Sequence, residues 1–202
     1  MSSSNLIRWC GLAGMLSGAL LFLFSISNPA RDIGYTPTGV AQNPYVVQYI
    51  LGAAAAVLGQ LGLVGLFAAQ KERAGVLGLL GFVVAFVALA LTASEVFFDA
   101  YMIPVLVANA PDLLAGQLSA GPVGLLFQLT SITFVAGFVL FGLATLSAGI
   151  LPRWGALLLA VGSPYVIGRL PDVVRIAAVA AFGLGLIWLG FALWSGAGKT
   201  TK

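Results

Sequence analysis

The stretch TASEVFFDAYMIPVLVANA, Thr92 to Ala110, sets two carboxylates, Glu95 and Asp99, four residues apart inside an apolar run. Its reading decides the fold. If a helix stops before Glu95, the acids mark its wet end. If the helix continues to Pro104, they lie inside a bilayer. Arg73 is the nearest upstream basic residue, and 22 residues separate it from Glu95. At 1.5 Å per residue that is about 33 Å, against a hydrocarbon core of about 30 Å. Glu95 therefore falls at the far interface of a helix that begins near Arg73, and a tilted helix would draw both acids inward. At 100° per residue, Thr92, Glu95 and Asp99 share one face. Phe97 and Tyr101 take the opposite face, where aromatic rings suit the lipid boundary. The acidic face is expected to turn into a bundle, since a carboxylate facing lipid is costly.

Working outward, the whole chain has the same character. Hydrophobic residues make up 60% of it and charged residues 7%, where soluble domains carry about a quarter charged. The apolar runs are continuous rather than alternating, which favours membrane-spanning helices over a barrel. Six spans are expected, at about 6–27, 46–70, 74–98, 122–148, 152–168 and 172–195, forming one transmembrane domain over 1–202. Asn43-Pro44, Ala110-Pro111, Gly121-Pro122 and Leu170-Pro171 place proline at helix starts, where its missing N–H costs nothing. Ser163-Pro164 is expected to kink or end the short fifth span. The first 30 residues also have the layout of a secretory signal. Cys10 precedes the apolar core, unlike a lipoprotein cysteine, so the segment is read as a retained first span.

Orientation follows from Lys and Arg. With the N-terminus inside, Arg8, Lys71, Arg73, Arg153, Lys199 and Lys202 fall inside, and Arg31, Arg169 and Arg175 outside. Both termini are then cytoplasmic, in a cell (inner) membrane. RWCGLAGMLSG at 8–18, RAGVLGLLGFV at 73–83 and RWGALLLAVG at 153–162 each open an odd-numbered span. Three duplicated helical hairpins would explain this. The alternative is that Gly/Ala-rich membrane helices simply look alike.

Several function classes drop out. The chain has no histidine and one cysteine, Cys10, which removes bis-His haem, the usual zinc sites and histidine acid–base chemistry. The net charge of +3 is scattered, so no nucleic-acid partner is expected. No cofactor fingerprint or reactive-serine motif is present, and catalysis is not expected.

The segment LFGLATLSAGILPRWGALLLAVGSPYVIGRL, followed by AAVAAFGLGLIWLGFALWSG, resembles the C-terminal half of the DUF4386-type bacterial membrane proteins. In those, as here, a span ends in a Pro-Arg pair that opens a Gly/Leu-rich span, and the last span carries a FALW-like end. The resemblance covers about residues 140–195. It implies a six- or seven-span protein of unassigned function and no catalytic residue.

The expected site lies at the outer mouth. Glu95, Asp99 and Thr92 on the third span, Gln128 and Ser131 in the outer half of the fourth, and Tyr165, Arg169 and Arg175 around the last outer turn are expected to converge on an outward-facing polar pocket. Three readings compete there. The first is a non-enzymatic binding or accessory protein, with membrane lipids, an apolar or small charged ligand, or a membrane-protein partner. In this reading the acids are clasped by Arg169 and Arg175, because unpaired buried charge is costly. The second is a small proton- or cation-linked transporter or channel using Glu95 and Asp99. Carboxylates in apolar pockets exchange protons near neutral pH, although transporter sites usually lie nearer the midplane. The third is a membrane enzyme, ranked last.

Overall fold

The computed structural model describes residues 3–26, 40, 45–114, 121–167 and 170–196. Among these the chain is helical, with no strand. The helices are α1 (Ser3–Ile26), α2 (Tyr45–Asn109), α3 (Pro111–Leu114), α4 (Pro122–Ala148), α5 (Arg153–Gly162) and α6 (Asp172–Ser195), with a 3₁₀ turn at Ser163–Val166 after α5. Four of them, α1, α2, α4 and α6, are long and apolar enough to cross a membrane.

The 65-residue α2 is two helices joined at Gly75, whose φ of 57° and ψ of −157° lie outside helical space. The arms run antiparallel. The Tyr45 hydroxyl donates to the Asp99 carbonyl at 3.1 Å, the Gln60 amide donates to the Phe86 carbonyl at 3.3 Å, and the Phe67 and Phe82 rings stack at 4.5 Å. Lys71, Glu72 and Arg73 were expected in a loop. They are exposed but helical, because the turn is made in one residue by glycine rather than by unwinding the polar run. The second arm also outruns its expected end at 98. It continues through Pro104 to Asn109, so Glu95 and Asp99 stand within a helix and not at its end. Membrane helices tolerate an internal proline when neighbours re-satisfy the freed carbonyl.

α5 and its 3₁₀ turn are the corresponding shortfall. Ten α-helical residues and four 3₁₀ residues reach about 23 Å, less than the hydrocarbon core needs. The expected break at Ser163-Pro164 is the 3₁₀ turn itself. α4 starts with Pro122 at its first turn and stops at Gly149, whose φ of 65° places it in the left-handed region with its N–H on the Thr145 carbonyl.

Small residues set how closely the rods approach. A Cβ on Gly62 would lie 2.7 Å from the Gly14 Cα, one on Gly137 2.5 Å from the Ala85 nitrogen, and one on Gly185 2.7 Å from the Leu159 nitrogen. These are backbone-to-backbone contacts, which hold membrane helices together where lipid removes the hydrophobic drive. They order the segments in a ring. α1 packs on the first arm of α2 and on α6; the second arm packs on α4; α5 lies against α4 and α6. Phe134, Phe138, Phe141, Phe182, Leu63, Leu66, Leu159 and Leu189 fill the middle.

The ring has two unlike ends. The start of α1, the Gly75 turn and the start of α5 gather Arg8, Lys71, Glu72, Arg73 and Arg153, all exposed. Here the Arg8 Nε donates to the Trp194 carbonyl at 3.0 Å, its guanidinium lies 5.2 Å from the Trp194 ring centre, and Trp9 meets Trp194 edge-on. The opposite end carries Glu95, Asp99, Asp112, Asp172 and Arg175. Among the described residues, one end is basic and the other acidic.

Candidate functional site

At the acidic end, the second arm of α2 turns Glu95 toward α4. The side chain is half-buried, and its Oε1 atom is buried without a hydrogen-bond partner. Thr130 on α4 reaches the carboxyl, but the same hydroxyl donates to the Leu126 carbonyl one turn back, at 3.0 Å. One hydroxyl proton cannot serve both acceptors fully. An uncompensated carboxylate in hydrocarbon costs roughly 2–4 kcal/mol even on the lenient insertion scales, so this oxygen is an open position in the structure.

Glu95 also lines a cleft of about 240 Å³, together with Ser94, Phe98, Leu126 and Phe127. Ser94 and Leu126 are exposed, and Phe98 and Phe127 half-buried. The cleft therefore opens sideways between the second arm and α4. It combines three apolar walls with a hydroxyl and a carboxyl.

The other expected site residues divide into groups. Thr92 is half-buried, and its hydroxyl donates to its own helix at the Ala88 carbonyl, 2.9 Å away. Asp99 is half-buried one turn beyond Glu95, within electrostatic range of Glu95 and Tyr45. Its backbone carbonyl ties it to the start of α2, where Tyr45, Tyr49, Ala53, Val96, Ala100 and Ile103 form a second core cluster. Phe97 and Tyr101 stack on the exposed face, as the helical spacing required. Gln128 is exposed and does not line the cleft. Ser131 donates to the Val166 carbonyl at 3.4 Å, joining α4 to the 3₁₀ turn.

Tyr165 is buried among aromatic rings, edge-on to Phe134 at 5.4 Å and tilted against Phe182 at 5.4 Å. Arg175 is also buried, and its Nη2 pairs with Asp172 Oδ1 on the same helix at 3.2 Å. This differs from the expected convergence. Neither Tyr165 nor Arg175 lines the Glu95 cleft. The i, i+3 spacing of Asp172 and Arg175 gives the guanidinium a partner at no cost in reach. Arg169 lies outside the described residues.

Sequence reasoning missed Ser94, Phe98, Leu126, Phe127 and Thr130. The one available signal was Leu126 and Thr130 at i, i+4 on α4, which share a face. Nothing in the sequence states that this face meets Glu95. No group of three or more Cys, Asp or Glu side chains able to hold a metal occurs among the described residues.

The helices define a membrane protein. No family model, curated protein or solved structure matches the chain. The functional reading rests on the residues themselves.

Proposed function

We propose that this chain is a non-enzymatic membrane binding or accessory protein whose ligand site is the Glu95 cleft. The observation that carries the reading is the Glu95 Oε1 atom, buried without a partner beside a cleft with apolar walls. Ligand pockets combine apolar lining with a few convergent polar groups, and intramembrane acids are functional candidates. The core below supports a site that holds rather than conducts. Phe134, Phe138, Phe141 and Phe182 are at most 1% exposed, so the core toward the basic end is filled with aromatic side chains. The alternative, a small proton- or cation-linked transporter or channel using Glu95 and Asp99, needs those aromatics to part.

The same proposal takes the chain across a cell membrane six times, with the two arms of α2 counted separately and α5 completed by the chain after it. Both termini are cytoplasmic. The basic end at Arg8, Lys71, Arg73 and Arg153 supports that orientation. Gly14 against Gly62, Gly78 against Ala144 and Gly155 against Leu189 put each Arg-led segment against the next, in keeping with three duplicated hairpins and with the six- or seven-span family resembled at 140–195.

The test is retention of small molecules. The chain, extracted in mild detergent, is examined by native mass spectrometry beside Leu126→Trp, which fills the cleft. Bound mass that is present in the wild type and absent from the variant is expected. A wild type that carries nothing and is not stabilised by any cationic, neutral or anionic amphiphile would remove the binding reading.

A further inference from the structure

We propose that the Glu95 cleft takes a membrane-partitioned amine, with an ammonium group on the Glu95 carboxyl and a short apolar body along Phe98, Leu126 and Phe127. The inference rests on the binding reading above and adds the ligand's charge and size.

The chemistry of the walls selects the cation. An ionised carboxyl only accepts hydrogen bonds, and an ammonium only donates them, three at a time. The cleft is short of donors. Ser94 supplies one hydroxyl, and the Thr130 proton is already directed to the Leu126 carbonyl at 3.0 Å. A ligand that brings its own donors and a positive charge meets both needs of the Glu95 carboxyl. Phe98 and Phe127 line the same space, and aromatic faces attract ammonium groups.

The walls also select against other headgroups. Among the described residues, no Lys or Arg lines the cleft. The buried guanidinium at this end, Arg175, is paired with Asp172 on α6. A phosphate, sulfate or fatty carboxylate would sit beside Glu95 with no counter-charge, and so would the phosphate of a zwitterionic phospholipid. Size narrows the class further. The volume of about 240 Å³ is below the roughly 300 Å³ at which pockets begin to enclose drug-sized ligands. That leaves an ammonium head and a short chain or single ring. The exposed lip at Ser94 and Leu126 admits it sideways, from the outer boundary of the bilayer.

The probes are octylamine, octanol and octanoate, three chains of one length carrying positive, zero and negative heads. Each is titrated at equal micellar mole fraction into the full-length protein, with thermal unfolding as readout. Octylamine is expected to bind at least about tenfold more tightly than octanol, the weight of one charge-assisted hydrogen bond, and octanoate least of all. Glu95→Gln is expected to erase the preference for amine over alcohol while leaving octanol binding in place. Glu95→Asp, which keeps the charge, is expected to retain the preference should the Gln variant fold poorly. Leu126→Trp is expected to weaken all three. Equal binding of octylamine and octanol, or an amine preference that survives in Glu95→Gln, overturns the amine assignment and leaves the cleft as a binding site. No stabilisation of the wild type by any probe overturns both.

Discussion

Gln70 is fully buried, and its Nε2 donates to the Thr145 Oγ1 at 2.8 Å, while Thr145 donates on to the Phe141 carbonyl at 2.8 Å. This polar pair sits near the basic end, between α2 and α4. Deleting Thr145 strands the buried Gln70 amide, and a stranded buried polar group costs about 1–3 kcal/mol; deleting Gln70 removes a donor from Thr145, which keeps its own bond to the Phe141 carbonyl. Thr145→Val and Gln70→Leu are each expected to lower the thermal midpoint in detergent. The double variant is expected to recover part of the loss, with a coupling of about 0.6–1.7 kcal/mol, the span measured for membrane side-chain pairs. Strict additivity of the two losses would mean that the bond contributes nothing. Glu95 should behave in the opposite way. Its Oε1 atom has no partner to lose among the described residues, so Glu95→Gln is expected to leave the stability unchanged or raise it by up to about 1 kcal/mol. A drop of several degrees would reveal a counter-ion holding the acid. Among these residues the pattern alone located much. The shared face of Glu95 and Asp99, and the outward aromatic face at Phe97 and Tyr101, both follow from a 3.6-residue period. The orphaned oxygen does not, because it depends on where Thr130 spends its one proton.

At the scale of the elements, two glycines with positive φ separate backbone need from space. A Cβ at Gly75 or at Gly149 meets nothing within 4 Å, so any cost there is conformational. Gly149 lies in the ordinary left-handed region at φ 65°, ψ 16°, which Asn also visits. Gly75, at φ 57°, ψ −157°, occupies a region open essentially to glycine alone, worth about 1–3 kcal/mol to any other residue. Gly75→Asn is therefore expected to cost more than Gly149→Asn in paired unfolding curves, and equal costs would remove the account of the turn. Gly137 presents the reverse case. Its conformation is helical, but a Cβ there would press on the Ala85 backbone. Gly137→Ala is expected to cost about 1–3 kcal/mol as overpacking, despite the better helix propensity of alanine. Element ends were legible wherever local chemistry sets them. Pro122 opens α4, Gly149 closes it, and Asp172 follows Pro171 into α6. The end of the second arm of α2 was not legible, since Pro104 is a stop signal in water and a tolerated residue once neighbouring helices cover it.

For the molecule as a whole, the division of charge between the two ends is the property that places it in a membrane. If the basic end is cytoplasmic, cysteines at Asp112 and Asp172 are expected to react with a membrane-impermeant maleimide on intact cells. Cysteines at Glu72 and Arg153 are expected to react only after permeabilisation. All four positions are exposed, and the native Cys10 is buried, so background labelling is low. Labelling of Glu72→Cys on intact cells would invert the topology and place the Glu95 cleft on the inner side.

Composition and period were enough to specify a helical membrane protein and the outward-turned aromatic face at Phe97 and Tyr101. Each depends on residue type and spacing along a single rod, which the chain states directly. The tertiary structure alone decided the partners. It joined two expected spans directly at Gly75, paired Arg175 with Asp172, and brought Leu126, Phe127 and Thr130 of α4 against Ser94, Glu95 and Phe98 of α2. In lipid, helices associate through close packing of small residues rather than through an apolar stripe. With apolar residues on every face, hydrophobicity cannot name the neighbour, and only the fit of glycine-bearing surfaces selects it.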